Sequence, residues 1–412
     1  EIHIARCINA PYAIFMPATP EDASSAISII REHGETFTVL SGGHDYECQS
    51  GVANGVLILT SFLNKLEVDW ETGIMKVGAG VLWSTVYDKL NDAELDGTNT
   101  ERWGATGAQC TIVGVSGFIL GGGMCWHMSP MHGIGADNTI GIKAITADGE
   151  IVDANIDNEY KDLRYGMAGT GGMSMAFAAE FTMQLQKSRP GSYLYRVVQW
   201  KFSQTFTEGE NEGEYNLDSI EPIMFALADA LENIADDSNY KDKIGASRIR
   251  LNNVISSDYG PNGGHLLTAR FMAAEDTDMG EINAIKDVLS EYPPTSNVLQ
   301  YYTSINDFVK VRAFTYPDKK SNPKMSSFIK KGGNAIQKAI SIHLRYYLET
   351  GDESTNGPTR KIAGKDVDYY LMDNFVKFPD RVSLSPAISE SSWHITQRGV
   401  YLGVDPKLEK KN

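Results

Sequence analysis

At 412 residues the chain is too long for one small core, and two domains are the expectation. Its 42% hydrophobic and 22% charged residues are ordinary for a globular protein, while a formal net charge of −16 argues against a nucleic-acid partner, whose phosphates need concentrated Lys and Arg. No apolar run approaches about 20 residues, so no membrane span is expected; the longest, 111–131, is broken by Gly114, Gly117 and the Gly121-Gly122-Gly123 run.

In chain order, Thr19-Pro20-Glu21-Asp22 reads as a helix start. Threonine caps, proline sits at the first helical position, and the acids favour the positive end of the dipole. Ala23, Ala26, Ile27 and Ile30 form one apolar stripe, and Gly34 stops the helix. Thr36 to Leu40 is a β-branched and aromatic run that predicts a strand, and it empties into Ser41-Gly42-Gly43-His44-Asp45-Tyr46-Glu47. Glycine carries no Cβ, so a strand ending in Ser-Gly-Gly lets backbone N–H groups approach a ligand closely. A histidine at the lip of such a loop is placed for reactivity rather than packing.

Strands are predicted at Val56–Leu59 and Met75–Val77, and a helix at Trp83–Leu90. This alternation indicates an α/β domain. A glycine-rich centre follows, then a hairpin from Ile140 to Val152 turning at Asp148-Gly149, and a closing strand from Phe177 to Leu185. From about Ser188 the texture becomes α+β without glycine-rich loops. Strands are predicted at 193–200, 249–255 and 266–272, and helices at 220–234, 279–289 and 335–348. No internal repeat or low-complexity segment occurs.

Four cysteines, Cys7, Cys48, Cys110 and Cys125, are too few for a disulfide framework, and no Asn-x-Ser/Thr sequon is present. The compartment stays open, and because the first residue is Glu1 rather than methionine, the start of a precursor is expected to be missing. Cys125-Trp126-His127 with His132 has spacing a metal could use but lacks a second cysteine pair, so no metal is expected. Gly78, Gly80 and Trp83, like Gly169, Gly171 and Ser174, fail the third glycine of the dinucleotide fingerprint. A phosphate loop with Gly-Lys and a Gly-x-Ser-x-Gly elbow are both absent.

Ser41 to Glu47 resembles the flavin-attachment loop of the berberine bridge enzyme-like oxidases, a branch of the vanillyl-alcohol oxidase (para-cresol methylhydroxylase) flavoprotein fold. Three more segments match in family order: Gly107 to Gly117 with Gly121-Gly122-Gly123, Gly133-Ile134-Gly135-Ala136-Asp137-Asn138, and Asp162-Leu163 leading into Gly169-Thr170-Gly171-Gly172. Together they cover roughly residues 10 to 185. The resemblance implies an FAD-binding domain at 1–189, an antiparallel-sheet substrate domain at 190–370, and a C-terminal segment at 371–412 that returns to the first domain. His44 occupies the position that bonds the 8α-methyl of FAD, and Cys110 the position that bonds C6 in doubly linked members. The implied cofactor contacts are Ser41, Gly42, Gly43, His44, Asp45, Cys110, Val113, Gly114, Gly117, Phe118, Gly121, Gly122 and Asn138. Val113 matches a small aliphatic position that leaves dioxygen a path.

Departures from the pattern are informative. Thr111 replaces the usual proline after the cysteine. Phe118 stands where many relatives have histidine beside the flavin pyrimidine edge, and a phenylalanine donates no hydrogen bond to charge gathering there. Phe378-Pro379-Asp380-Arg381 resembles a Phe-Pro-His-Arg tetrapeptide with Asp380 in place of histidine, and the family's C-terminal Tyr-x-Asn motif is not recognisable before Asn412. Catalytic candidates are therefore Tyr46, Tyr346, Tyr369, Tyr370 and Glu390. The implied function is an oxidase moving a hydride from an alcohol, sugar or natural-product intermediate to covalent FAD, with dioxygen yielding hydrogen peroxide. Alternatives are a dehydrogenase or oxidative cyclase without peroxide release, or a flavin-fold binding protein that has lost catalysis. The partners implied are a small-molecule substrate and dioxygen; oligomeric state is not legible.

Overall fold

The computed structural model describes residues 10–45, 48–126, 128–170, 175–188, 193–203, 217–240, 243–254, 264–273, 277–312, 324–329, 334–349, 362–371, 379–381, 383 and 393–401. Two compact units emerge. One comprises Glu1–Pro190, Tyr302–Ser321 and Phe375–Ser389; the other comprises Gly191–Tyr301, Asn322–Asn374 and Glu390–Asn412.

The first unit opens with β1 (Ala13–Phe15) and α1 (Pro20–Glu32). Thr19 and Asp22 cap α1 reciprocally: the Asp22 N–H donates to the Thr19 hydroxyl at 3.1 Å, and the Thr19 N–H to the Asp22 carboxylate at 3.0 Å. Gly34, at φ 65°, turns the chain out of the helix toward β2 (Phe37–Leu40). β3 (Val56–Leu59) lies between β1 and β2, and all three run parallel. Consequently β2 delivers residues 41–45 to the carboxyl end of a parallel sheet, the edge where ligands bind in open α/β folds.

Next come β4 (Leu66–Asp69), β5 (Ile74–Gly78), α2 (Trp83–Leu95), β6 (Trp103–Gly104), α3 (Val115–Leu120) and α4 (Ser129–His132). They are followed by β7 (Thr139–Ile145), β8 (Ile151–Asn155), α5 (Lys161–Met167), β9 (Phe177–Gln184) and β10 (Gln186–Lys187). Five of these strands form an antiparallel sheet in the order β4-β5-β9-β7-β8, and β6 pairs with β10. Trp83, Val86, Tyr87 and Leu90 bury one stripe of α2, as their three- and four-residue spacing requires.

The second half supplies β11 (Tyr193–Ser203), α6 (Leu217–Asp236), β12 (Ile244–Val254), β13 (Gly264–Ala273), α7 (Asn283–Glu291) and β14 (Ser296–Tyr302). It continues with α8 (Ile305–Arg312), β15 (Lys324–Ile329), α9 (Ala335–Glu349), β16 (Ile362–Leu371) and β17 (Trp393–Tyr401). The helix expected at 279–289 is two pieces. A 3-10 turn at Met279–Glu281, capped by the Asp278 carboxylate on the Gly280 N–H at 2.9 Å, precedes α7. Seven strands make one antiparallel sheet, ordered β14-β11-β13-β12-β16-β17-β15. Met224, Leu227 and Leu231 of α6, Ile285 of α7 and Ile340 of α9 pack with Val198, Ile249, Leu267 and Phe271 of the strands, forming the core of this unit. α8 instead belongs to the first unit, where the Glu94 carboxylate accepts from Ser304 Oγ at 3.1 Å and Asn306 Nδ2 at 2.8 Å. The whole is α/β followed by α+β.

His265 on β13 is 2% exposed, and burial pushes its pKa down from the ordinary 6.5 to about 4. Between those values the unfolded chain takes a proton that the folded chain refuses. Stability should therefore be complete above about pH 6.5 and fall as the pH drops toward 4. Urea midpoints measured at pH 7 and at acid pH should show a larger loss for the native chain than for His265→Gln; equal losses would contradict this.

Candidate cofactor site

Two loops build the site, and glycines let them touch. Gly42 and Gly114 lie back to back: a Cβ added at Gly42 would sit 2.8 Å from the Ile112 carbonyl oxygen, and one at Gly114 would sit 2.7 Å from the Gly42 nitrogen. Gly80 similarly meets the Thr60 carbonyl with no room for a side chain. Hydroxyls lock this arrangement. The Ala79 carbonyl accepts from Ser41 Oγ at 2.8 Å, Ser116 Oγ at 3.0 Å and Thr60 Oγ1 at 3.3 Å.

Beyond Gly43, at φ 67°, the chain carries His44 and then closes on itself. The Asp45 carboxylate accepts from the Ser50 N–H at 2.7 Å, and Thr38 Oγ1 donates to the Gln49 carbonyl at 2.8 Å. Cys48, in the left-handed region at φ 62°, is disulfide-bonded, whereas Cys110 and Cys125 are buried free thiols. A bridge at Cys48 leaves standing the expectation that four cysteines form no disulfide framework.

A cavity of about 660 Å³ opens between the loops. Of the expected cofactor residues, Ser41, Gly42, Gly43, His44, Asp45, Val113, Gly114, Gly117 and Phe118 line it. Thr38, Gln49, Ser50, Ser116, Met167 and Phe177 line it as well, and sequence reasoning did not single them out. A Cβ on Gly117 would meet nothing within 4 Å, so that wall faces open space. The Phe118 ring is set edge-on to Trp83, with centroids 5.2 Å apart, and rests on Gly123 and Gly135, where an added Cβ would come within 2.9 Å of it.

Cys110, Gly121, Gly122 and Asn138 are not among the lining residues. Cys110 follows Gln109, whose side-chain carbonyl accepts from Trp126 Nε1 at 3.1 Å. Asn138 is committed to its own turn. Its Nδ2 donates to the carbonyls of His132 at 3.1 Å and Ile134 at 3.0 Å, while its Oδ1 accepts from Gln186 Nε2 at 2.8 Å. Arg164, 1% exposed, was also not anticipated. Its guanidinium donates to the carbonyls of Ala136 at 2.8 Å, of Thr139 and of Arg381, and burial lowers its pKa to about 10, so it stays charged at neutral pH. The Ser383 N–H donates to the Ala168 carbonyl at 2.8 Å, a second tie of the 379–383 segment to the first unit.

Among the catalytic candidates, Tyr46 and Glu390 lie outside the described residues, as does Phe378. Tyr346 falls in α9; on β16, Tyr369 is in register with Ile249 and Tyr370 with Arg248. Among the described residues no group of three or more His, Cys, Asp or Glu could hold a metal, and no helix is long and apolar enough to cross a membrane.

A glycine-walled slot with small hydroxyls along it and apolar residues beside it suits a nucleotide joined to a flat ring. The comparisons agree. Residues 11–155 match the family described as FAD binding domain. The chain is 30% identical over 179 residues to the FAD-dependent monooxygenase prx3 of Penicillium roqueforti, spanning 43% of this chain and 33% of that protein. It is 32% identical over 167 residues to reticuline oxidase of Eschscholzia californica, spanning 40% and 29%. These matches extend over only about a third of the curated relatives' own length. A solved glucooligosaccharide oxidase of Acremonium strictum, whose FAD is described as 6-S-cysteinyl, 8α-N1-histidyl, superimposes at a TM-score of 0.69 and 16% identity, covering 98% of this chain and 78% of that one. The fold is that of the FAD-binding proteins of the vanillyl-alcohol oxidase type. Within that class, the matched segment is similar to the FAD-binding part of the berberine bridge enzyme-like proteins.

Substituting the two glycine positions should separate packing from cofactor contact. Gly114→Ala forces the 41–45 and 113–117 loops apart and should lower the melting temperature, at a cost of about 1–3 kcal/mol for overpacking. Gly117→Ala should melt like the native protein but purify with less flavin; a marked loss of stability there would overturn the assignment.

Proposed function

We propose that the chain is an FAD-dependent oxidase with its flavin bonded to His44 and Cys110. It takes a hydride from an organic substrate, an alcohol, sugar or natural-product intermediate, and dioxygen receives the electrons as hydrogen peroxide. The observation that carries this reading is that His44 lies on the wall of a glycine-lined cavity inside the segment matched as an FAD-binding domain. The flavin supplies the two-electron acceptor. We assign 1–189 to holding it, 190–370 to the substrate, and 371–412 to a C-terminal segment.

The chain's own residues do the rest. The backbone at Gly42, Gly43, Gly114 and Gly117 would hold phosphate and ribityl groups, because no Cβ intervenes. The Asp45–Ser50 hydrogen bond and the Cys48 bridge fix the loop that aims His44. An imidazole and a sulfur attached to the cofactor prevent its loss. Phe118, wedged on Trp83 and two glycines, excludes water from the wall but offers no donor to negative charge. Val113, also on the wall, is small enough to leave dioxygen room. A proton acceptor for the substrate comes from Tyr46, Tyr346, Tyr369, Tyr370 or Glu390.

Phe118 also favours a second reading, in which the flavin is held but poorly reduced and the protein serves as a binder. Peroxide released during turnover separates the oxidase from a dehydrogenase or cyclase, and anaerobic bleaching by substrate separates either from a binder. Acid precipitation should leave yellow colour in the pellet. His44→Ala or Cys110→Ala should each retain some flavin in the pellet, and the double variant should release it all; a colourless native pellet overturns the covalent assignment. Phe118→His should speed flavin reduction by substrate, and an unchanged rate would count against the role given to that side chain.

A further inference from the structure

Phe118 offers the cavity no hydrogen-bond donor, but a cation stands behind it. The Phe118 ring rests on Gly135, where an added Cβ would come within 2.9 Å of it. The carbonyl of the next residue, Ala136, accepts from Arg164 Nη2 at 2.8 Å. One peptide unit of about 3.8 Å, with a contact at each end, therefore puts the guanidinium within about 12 Å of that ring. A second route leads to the same place. Arg164 and Met167 stand three residues apart on α5, hence on one face with Cβ atoms about 5–6 Å apart, and Met167 lines the cavity. Just beyond, the Gly169 N–H donates at 3.2 Å to the carbonyl of Leu120, another lining residue. All of these residues belong to the first unit.

The charge of Arg164 is held in place without being neutralised by contact. The side chain is 1% exposed, its terminal nitrogens donate to the carbonyls of Ala136, Thr139 and Arg381, and its Nε has no acceptor among the described residues. No carboxylate among those residues forms an ion pair with it. Asp137 and Arg381 act on it through space with opposite signs, so the group as a whole is two cations and one carboxylate. That carboxylate accepts from the Ile134 N–H at 3.0 Å. A buried cation without an adjacent anion is costly, and negative charge arising close by offsets part of the cost.

A hydride carries two electrons and one proton, so a neutral flavin ring that accepts it gains one negative charge. The substrate carbon gives up the same two electrons, and its hydroxyl proton goes to a base. We propose that Arg164, from behind the wall, supplies the stabilisation of this charge that Phe118 cannot, and so tunes the ease of flavin reduction without touching the ring. This rests on the flavin reading above.

Sulfite tests it without knowledge of the substrate. The sulfur lone pair forms a bond to N5 of an oxidised flavin, and the displaced electron pair settles as negative charge on the pyrimidine edge; loss of yellow colour reads the Kd. With the full chain as purified, Arg164→Gln should raise the sulfite Kd about five- to tenfold, the effect of one unit charge at about 12–15 Å and an effective dielectric of about 20. Arg164→Lys keeps the charge and should retain the native affinity, whatever either variant loses in melting temperature. Should Arg164→Gln fail to fold, Asp137→Asn tests the opposite sign: it keeps an oxygen for the Ile134 N–H, removes the opposing charge, and should tighten sulfite binding. Unaltered affinity in a folded Arg164→Gln or Asp137→Asn overturns the proposal, as does an equal loss in Arg164→Lys and Arg164→Gln, the mark of a purely structural tie. A yellow native chain that forms no sulfite adduct overturns it too. A native chain without flavin overturns the flavin reading and this inference together, whereas a yellow chain whose Kd ignores residue 164 overturns this inference alone.

Discussion

One backbone carbonyl, that of Ala79, gathers the walls of the candidate cofactor cavity. Its oxygen accepts hydroxyls from Ser41 at the end of β2, Thr60 just after β3, and Ser116 at the start of α3. Two lone pairs serve three donors unequally, and Thr60 Oγ1, the most distant, shares itself with the Leu40 carbonyl at 3.4 Å. Each such bond adds only about 0.5–1.5 kcal/mol net, but a buried hydroxyl left without its acceptor costs about 1–3 kcal/mol. The arrangement is therefore worth more as a constraint than as a sum of bonds. Any shift of one loop leaves polar groups stranded, so the loops keep their relative position. The steric complement is the contact of Gly42 with Gly114, which allows the hydroxyls to reach that carbonyl at all.

That pairing explains which parts of the protein could be read in advance. α1 announces itself locally, because the residues that cap it, fill its stripe and stop it are adjacent in sequence. The hairpin of β7 and β8 does so too, through Gly149 at φ 82°. Residues 41–45 and 113–118 were singled out by their glycines and by family resemblance, and they line one cavity. That Gly42 meets Gly114, however, is a contact across more than seventy positions with no local signal. Ser116 and Thr60 looked like ordinary hydroxyl residues until the fold set them on a shared acceptor. Asn138 has a role its sequence did not signal: its side-chain amide holds the turn that bears it.

The second half gave up less for the same reason. α8 and the turn at Pro379–Arg381 return to the first unit; the turn lies in a tetrapeptide that resemblance had marked, whereas nothing in the composition of α8 sets it apart from its neighbours. Arg164 makes one of these returns visible: a buried cation whose terminal nitrogens donate to carbonyl dipoles, one of them from Arg381. It lies in a segment whose resemblance drew attention to its glycines, so the arginine beside them passed unnoticed. In β12 and β13 the alternation was plain enough to predict strands. What it could not reveal is which strand lies beside which, and only that adjacency places Arg248 against Arg270.

Net charge is informative about partners that feel a whole surface and uninformative about a site a few ångströms wide. At 0.15 M salt the field of exposed charges fades over about 8 Å, whereas partly buried groups are screened far less. An overall charge of −16 therefore argues against a polyanion as partner and says nothing of a small site. The two arginine environments sharpen the distinction. Arg164 donates from its two terminal nitrogens to three backbone carbonyls, so its charge is held by main-chain dipoles. Arg248 and Arg270 instead lie opposite one another in the register of β12 and β13. The helical face of the same sheet carries Ile249 and Ala269 instead, so alternation along each strand separates a packing face from a charged one.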